Sequence, residues 1–293
     1  MSKVLLIGND INNLRPGYSW KDLLEELIRF VGAKGHIEPI SEQFPLFYEE
    51  IYSYARREHT KSEREIKEFI ANKVERISGD SIHKRLMALK VDNYLTTNYD
   101  FALENATESL GQIKNTAVVD ETRYSLFRRM QCGRKFIWHI HGDKDRPGTI
   151  CLGYEHYSGY LQAMRNYVVS GVAYTDFRKD ALLKRWTALD YVCWIDHFLT
   201  SNIYILGLRL DFVEMHLWWL LSFWSRRGRE GGKSVTFNNK IVYYVPDRYW
   251  SSSDAKLRFM KAFNVEIRRF SDGTDGSDKI EYYKRVIDDI ESD

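Results

Sequence analysis

Asp92-Asn93-Tyr94-Leu95-Thr96-Thr97-Asn98-Tyr99-Asp100 decides how this chain reads. A strand is expected over Val91–Thr96. Thr96, Thr97, Asn98, Tyr99 and Asp100 then put hydroxyls, an amide and a carboxylate at its carboxyl end, where open α/β sheets hold ligands. Such groups are costly in a core and ordinary at a pocket rim. Asp100 also suits the cap of a helix expected over Asp100–Ser109. The amide of Asn98 both donates and accepts, as holding a water against a sugar carbon requires. A second strand, Lys135–Ile140, leads into His139-Ile140-His141-Gly142-Asp143. Together the two segments predict a nucleotide pocket with Asn98 and His141 near its reactive centre.

Working outward, Lys3–Ile7 reads as a fully buried strand and Gly8–Tyr18 as a turn-rich loop. Ser19–Val31 reads as a helix capped by Ser19, with Leu23, Leu24, Leu27 and Ile28 at helical spacing. Helices over Phe44–Arg57, Ser62–Ile77 and Ser81–Leu89 precede the Val91 strand. Further strands are expected at Thr116–Val119, Asn202–Leu206, Lys240–Val245 and Val265–Phe270, with a helix at Asp254–Phe263 and another at the end. Parallel neighbours need crossover connections, so the fold class is α/β: a Rossmann-like parallel sheet flanked by helices, with a helical insertion at about 143–201. Residues 1–245 form the main domain, and 246–293 a C-terminal α/β extension packed on it, with Ser271–Ser277 as a flexible connection.

The chain has 293 residues, 44% hydrophobic and 29% charged, with a net charge of +2. That supplies a large core, and the charge balance disfavours a nucleic-acid partner gripped through phosphates. Arg226-Arg227-Gly228-Arg229 reads as a surface turn or a short anion contact. Cys132, Cys151 and Cys193 are too few and scattered for a disulfide framework or a four-thiolate zinc site, which fits a cytoplasmic location. Lys3–Ile7 is too short for a secretory apolar segment. Val213–Trp224 is the most apolar long stretch, yet it contains Glu214 and His216 and falls short of the roughly 20 residues a bilayer requires. A soluble protein without membrane contact is expected. The same tryptophan-rich stretch suits a buried helix, or an interface with a second copy or an activating partner.

The turn after the first strand, Gly8-Asn9-Asp10, supplies one glycine where a full dinucleotide fingerprint has three. Asn9 and Asn12 can donate to phosphate or ribose. Asp10 suits a ribose hydroxyl or simply a turn. His139 and His141 face the same way on a strand. His-x-His-x-Asp also opens the ligand set of binuclear metallo-hydrolases, but Lys144 stands where that set has another histidine, and no later His/Asp pair is evident. His139 suits a satisfied core position, whereas Gly142 would let a ligand approach His141 closely.

The order of these segments, with Ile150-Cys151-Leu152, Tyr157 and Ile205-Leu206-Gly207-Leu208-Arg209-Leu210-Asp211, resembles bacterial SIR2-like proteins over roughly Lys3–Val245. The Gly8-Asn9-Asp10 turn also resembles the related AbiH abortive-infection proteins. The resemblance implies NAD as substrate, no metal and, as in antiphage members, NAD hydrolysis that starves an infected cell. It implies that Asn98 orients the nicotinamide ribose and the attacking water, and that His141, with a pKa near neutrality, acts on the ribose hydroxyls as general base. Gly8, Asn9, Asp10, Thr96, Thr97, Tyr99, Asp100, Gly207 and Asp211 would line the dinucleotide. Sirtuin deacetylases carry a Gly-Ala-Gly turn and paired zinc-binding cysteines, and this chain has neither, which argues against a conventional deacetylase. A non-catalytic NAD or ADP-ribose sensor and a zinc-free deacylase are the alternatives.

Overall fold

The computed structural model describes residues 1–14, 19–38, 44–107, 113–229, 235–273 and 277–293. Its main sheet is built on six parallel strands: β1 (Lys3–Ile7), β2 (Asn93–Thr96), β5 (Lys135–His139), β8 (Asn202–Leu206), β9 (Ile241–Pro246) and β10 (Glu266–Phe270). They lie side by side as β5-β2-β1-β8-β9-β10. Counted in chain order this is 3-2-1-4-5-6, the dinucleotide-fold arrangement, whose direction reverses between β1 and β8. Two short antiparallel strands, β3 (Lys114–Asn115) and β4 (Met130–Cys132), complete the edge beyond β5.

Val4, Leu5, Leu6 and Ile7 are all buried, as a parallel strand covered on both faces requires. Alternate residues go to opposite layers. Val4, Leu6, Leu95, Trp138, Ile203 and Ile205 join one core. Helices α6 (Tyr154–Arg165), α7 (Trp194–Thr200) and α8 (Met215–Arg229) contribute to it. Leu5, Ile7, Tyr94, Ile137, Tyr204 and Leu206 join the other core, with α4 (Ser81–Ala88) and α10 (Lys279–Ser292). A third cluster ties α1 (Trp20–Phe30), α2 (Phe44–Arg57) and α3 (Glu63–Val74) to Tyr99, Ala102, Ile150 and Leu152, so these helices pack against the carboxyl ends of β2 and β5. Ser19 caps α1 as expected, its Oγ accepting from the Asp22 amide at 3.2 Å. Short α5 (Ala102–Asn105) and α9 (Asp254–Ala262) complete the helices, and Asn9–Leu14 forms 3-10 turns. Among the described residues no helix is long and apolar enough to cross a membrane.

Several local expectations are corrected. The strand expected at Thr116–Val119 is absent; the last ladder bond runs from the Thr116 amide to the Arg129 carbonyl at 3.1 Å, and the Asn115 side chain accepts from the Ala117 amide at 3.1 Å and turns the chain. The helix expected over Asp100–Ser109 shrinks to α5, after which Thr107 Oγ1 donates to the Glu104 carbonyl at 2.8 Å; residues 108 and 109 lie outside the described residues. Residues 143–201 hold not only helices but a hairpin, β6 (Val172–Tyr174) and β7 (Phe177–Lys179). Parts of the Gly8–Tyr18 loop (15–18) and of the 271–277 connection (274–276) also lie outside the described residues, as does the side chain of Arg229.

Glycine is required where backbones touch. A Cβ at Gly8 would lie 2.5 Å from the Gly207 carbonyl oxygen and the Leu208 Cα, closing the turn after β1 onto the turn after β8. Gly142 has φ +88°, and a Cβ there would lie 2.3 Å from the Thr149 carbonyl oxygen. Gly142 therefore serves the approach of its own chain, not of a ligand. Gly32 has a similar φ of +78° but open space around it. Gly142→Ala should consequently destabilise by about 1–3 kcal/mol more than Gly32→Ala, the part due to overpacking. Urea unfolding checks this, and equal losses would contradict it.

Candidate functional site

A cleft of about 630 Å³ opens at the carboxyl edge of the sheet, where the turns after β1, β2 and β8 and the end of β5 meet helices α1 and α3. Its size falls in the range of small-molecule sites. Asn9 and Asp10 border it from the first turn, Thr97, Asn98, Tyr99 and Asp100 from the second, His141 from the end of β5, and Gly207 and Asp211 from the turn after β8. Gly8 and Thr96 do not reach its wall. Gly8 is shut against Gly207, and Thr96 is buried with its hydroxyl donating to the Ile7 carbonyl at 3.0 Å and accepting from the Asn98 amide at 3.1 Å. Both shape the turns instead of offering groups to a ligand.

The β2–β5 register explains why Asn98 and His141 share the cleft. Thr96 sits opposite His139, so residues two further along each strand end at the same edge. His139 fastens the arrangement: its Nδ1 donates to the Asn98 carbonyl and its Nε2 meets Glu104 Oε1, both at 2.7 Å. Burial opposes its charge, but the Glu104 carboxylate outweighs burial and holds the imidazole pKa up at about 9. His139 is therefore an imidazolium clamp on the Asn98 turn. The Asn98 side-chain oxygen is buried with no hydrogen-bond partner among the described residues. It is an acceptor without a protein donor, on a residue that borders the cleft.

Other members of the expected site are already committed to the protein. Asp100 accepts from the Ala102 amide at 2.9 Å and from Asn12 Nδ2 at 2.8 Å. It closes the turn leading into α5, whose N-cap position is Phe101, one residue later than the cap expected from the sequence. Asp10 binds Arg248 at 2.7 Å and Tyr283 at 2.8 Å, so its carboxylate ties the first turn to the C-terminal segment. The Tyr99 hydroxyl donates to the Cys151 carbonyl at 2.7 Å. Asp143, in the His-Gly-Asp run, takes a two-pronged contact from Arg128 at 2.6 and 3.0 Å and organises its own loop.

His141 has partners the sequence did not reveal. Its Nε2 lies 2.8 Å from His216 Nε2 and 3.4 Å from Glu214 Oε2, while His216 Nε2 lies 3.8 Å from the same carboxylate oxygen. Tyr157 and Tyr160 of α6 pack their rings edge-on to His141, with centroids 5.5 and 6.5 Å away. Burial pushes His141 down to about 3, not near neutrality as expected, and burial followed by His141 itself drives His216 well below its usual range. Burial, with Asp211 adding to it, raises Glu214 to about 8. The cleft thus presents an uncharged imidazole whose basicity burial has weakened: it can take part in hydrogen bonding to a ribose hydroxyl or a water, but it is a poorer proton acceptor than the near-neutral base expected from the sequence. The only sequence signal for this cluster was two polar residues, Glu214 and His216, in an otherwise apolar stretch.

Residues 92–186 match the family model of the SIR2-like domain. No curated protein matches the chain. The matched span runs from β2 and the Asn98 turn through β5, His141 and α6, and ends before β8 and the Glu214–His216 segment. It supports an NAD-related function.

His139→Ala would leave the Glu104 carboxylate buried without its cation, which should cost about 3–5 kcal/mol of unfolding free energy. Urea denaturation measures it. A loss below about 1 kcal/mol, the range of exposed pairs, would show that the clamp does not hold the turn.

Proposed function

From a chain that carries a SIR2-like domain, we propose an NAD glycohydrolase that cleaves NAD to nicotinamide and ADP-ribose and serves as an abortive-infection effector against phage. The observation that carries the reading is that Asn98, with an unpaired side-chain oxygen, and His141, a neutral imidazole, border one cleft at the point where the strand order reverses. That point is where open α/β sheets take dinucleotides. Lys73 and Arg209 line the same cleft, each paired with a carboxylate that also lines it, Glu26 and Asp211 respectively. The effector role rests on the likeness to antiphage SIR2-like proteins alone.

The chemistry asks little of the protein. Nicotinamide leaves a cationic ring system as a neutral molecule, so the protein must hold the ribose, favour an oxocarbenium-like transition state and place one water. The bond from ribose C1′ to the nicotinamide nitrogen breaks with its electron pair going to that ring. Water oxygen bonds to C1′, and its proton passes to His141 directly or through a ribose hydroxyl. Asn98 holds the water and the ribose through its amide.

The purified full chain, incubated with NAD and no acyl peptide, should release nicotinamide and ADP-ribose in equal amounts. Asn98→Ala should abolish release, and His141→Ala should slow it by at most about 10²-fold, the low end for a positioned base because burial weakens this imidazole, with unchanged circular dichroism. Wild-type rates in either variant would refute its role. NAD binding without release would identify a sensor, and strict dependence on an acyl peptide a deacylase.

A further inference from the structure

The cluster behind the cleft has a geometry that a hydrogen bond alone does not explain. Two buried imidazoles point ring nitrogens at each other at 2.8 Å, and one proton between them satisfies both. Glu214 Oε2 lies 3.4 and 3.8 Å from the same two nitrogens, and it is buried with no hydrogen-bond partner among the described residues. Three donor atoms therefore converge on one point, from the end of β5 and from the start of α8. Ligand bonds of about 2.0–2.2 Å at tetrahedral angles set donor atoms about 3.3–3.5 Å apart. The three observed separations bracket that value, so the His141–His216 pair must open by roughly half an ångström and the His216–Glu214 pair close by roughly a third of one.

We propose that His141, His216 and Glu214 bind one divalent transition metal of the zinc class, and that the ion silences the cleft by occupying His141. Two imidazoles and one carboxylate are a zinc-type donor set, whereas magnesium and calcium take oxygen ligands. His141 and Glu214 border the cleft, so a fourth position can open towards it. The far nitrogen of His216 is buried without a hydrogen-bond partner among the described residues. Metal-ligating histidines normally anchor that nitrogen, and its lack of an acceptor makes this a reversible site and not a permanent structural one. The metal site stands on these three side chains; the silencing half rests on the proposed NAD cleavage by way of His141.

The test uses the full chain freed of metal by a chelator. Zinc chloride titrated against it by calorimetry, with native mass spectrometry for stoichiometry, should show one ion per chain. His216→Ala and Glu214→Gln should each weaken binding at least tenfold while circular dichroism is unchanged. Cobalt(II) should give the intense visible absorption of a four-coordinate ion in the wild type alone. Absence of stoichiometric binding, or affinity retained in both variants, overturns the site. In the wild-type chain, nicotinamide release should fall with zinc occupancy and return on adding chelator; turnover unaffected by saturating zinc overturns the silencing. A chain that binds zinc yet never cleaves NAD upholds the site, removes the silencing and counts against the glycohydrolase reading.

Discussion

Parallel pairing of β1, β2, β5 and β8 is the constraint from which the site follows. Parallel strands deliver their carboxyl ends to one edge, and the registers Ile7 with Thr96, Ile7 with Leu206 and Thr96 with His139 bring four turns to a common level. Because side chains alternate between two buried layers, a slip of one residue would turn Leu5 and Leu6 to the wrong cores and carry Asn98 away from His141. The chemistry of the cleft is therefore locked to the same apolar packing that stabilises the sheet.

Two buried ion pairs do what apolar packing cannot. The Glu104–His139 pair is sealed from water and reaches the Asn98 turn through its carbonyl, and the Arg128–Asp143 pair fixes the loop after His141. Each breaks expensively if one partner is removed, because the other charge stays buried. The result is a rim held on either side of a cleft whose own polar groups, Asn98 Oδ1 and Glu214 Oε2, make no hydrogen bond among the described residues. A pre-formed site concentrates unsatisfied groups where a ligand will arrive.

What was legible in the sequence was local. Apolar runs bounded by polar turns marked all six parallel strands, Ser19 marked the start of α1, and the polar group at 96–100 marked the rim. The illegible parts depend on distant segments. Nothing near Glu104 indicates that it meets His139, 35 residues away, and His216 reaches His141 across 75 residues. Asp10 and Asp100 stood among the dinucleotide-lining residues that the resemblance implied, although each also read as a local turn or cap; Arg248, Tyr283 and the amide of Ala102 claim them only in three dimensions. The edge at 114–119 misled because β propensity at Thr116–Val119 was overridden by one side-chain turn at Asn115. The expected likeness of the Gly8 turn to AbiH proteins is not shown by the family match, which lies outside that turn, whereas the SIR2-like match spans the two motifs that define the cleft.

The most direct measurement is a crystal structure of the full chain grown with ADP-ribose. The account predicts the nucleotide across the reversal between β1 and β8, with its terminal ribose within hydrogen-bonding distance of the Asn98 amide and the His141 imidazole. ADP-ribose bound elsewhere, or in the cleft with that ribose turned away from both residues, would contradict it.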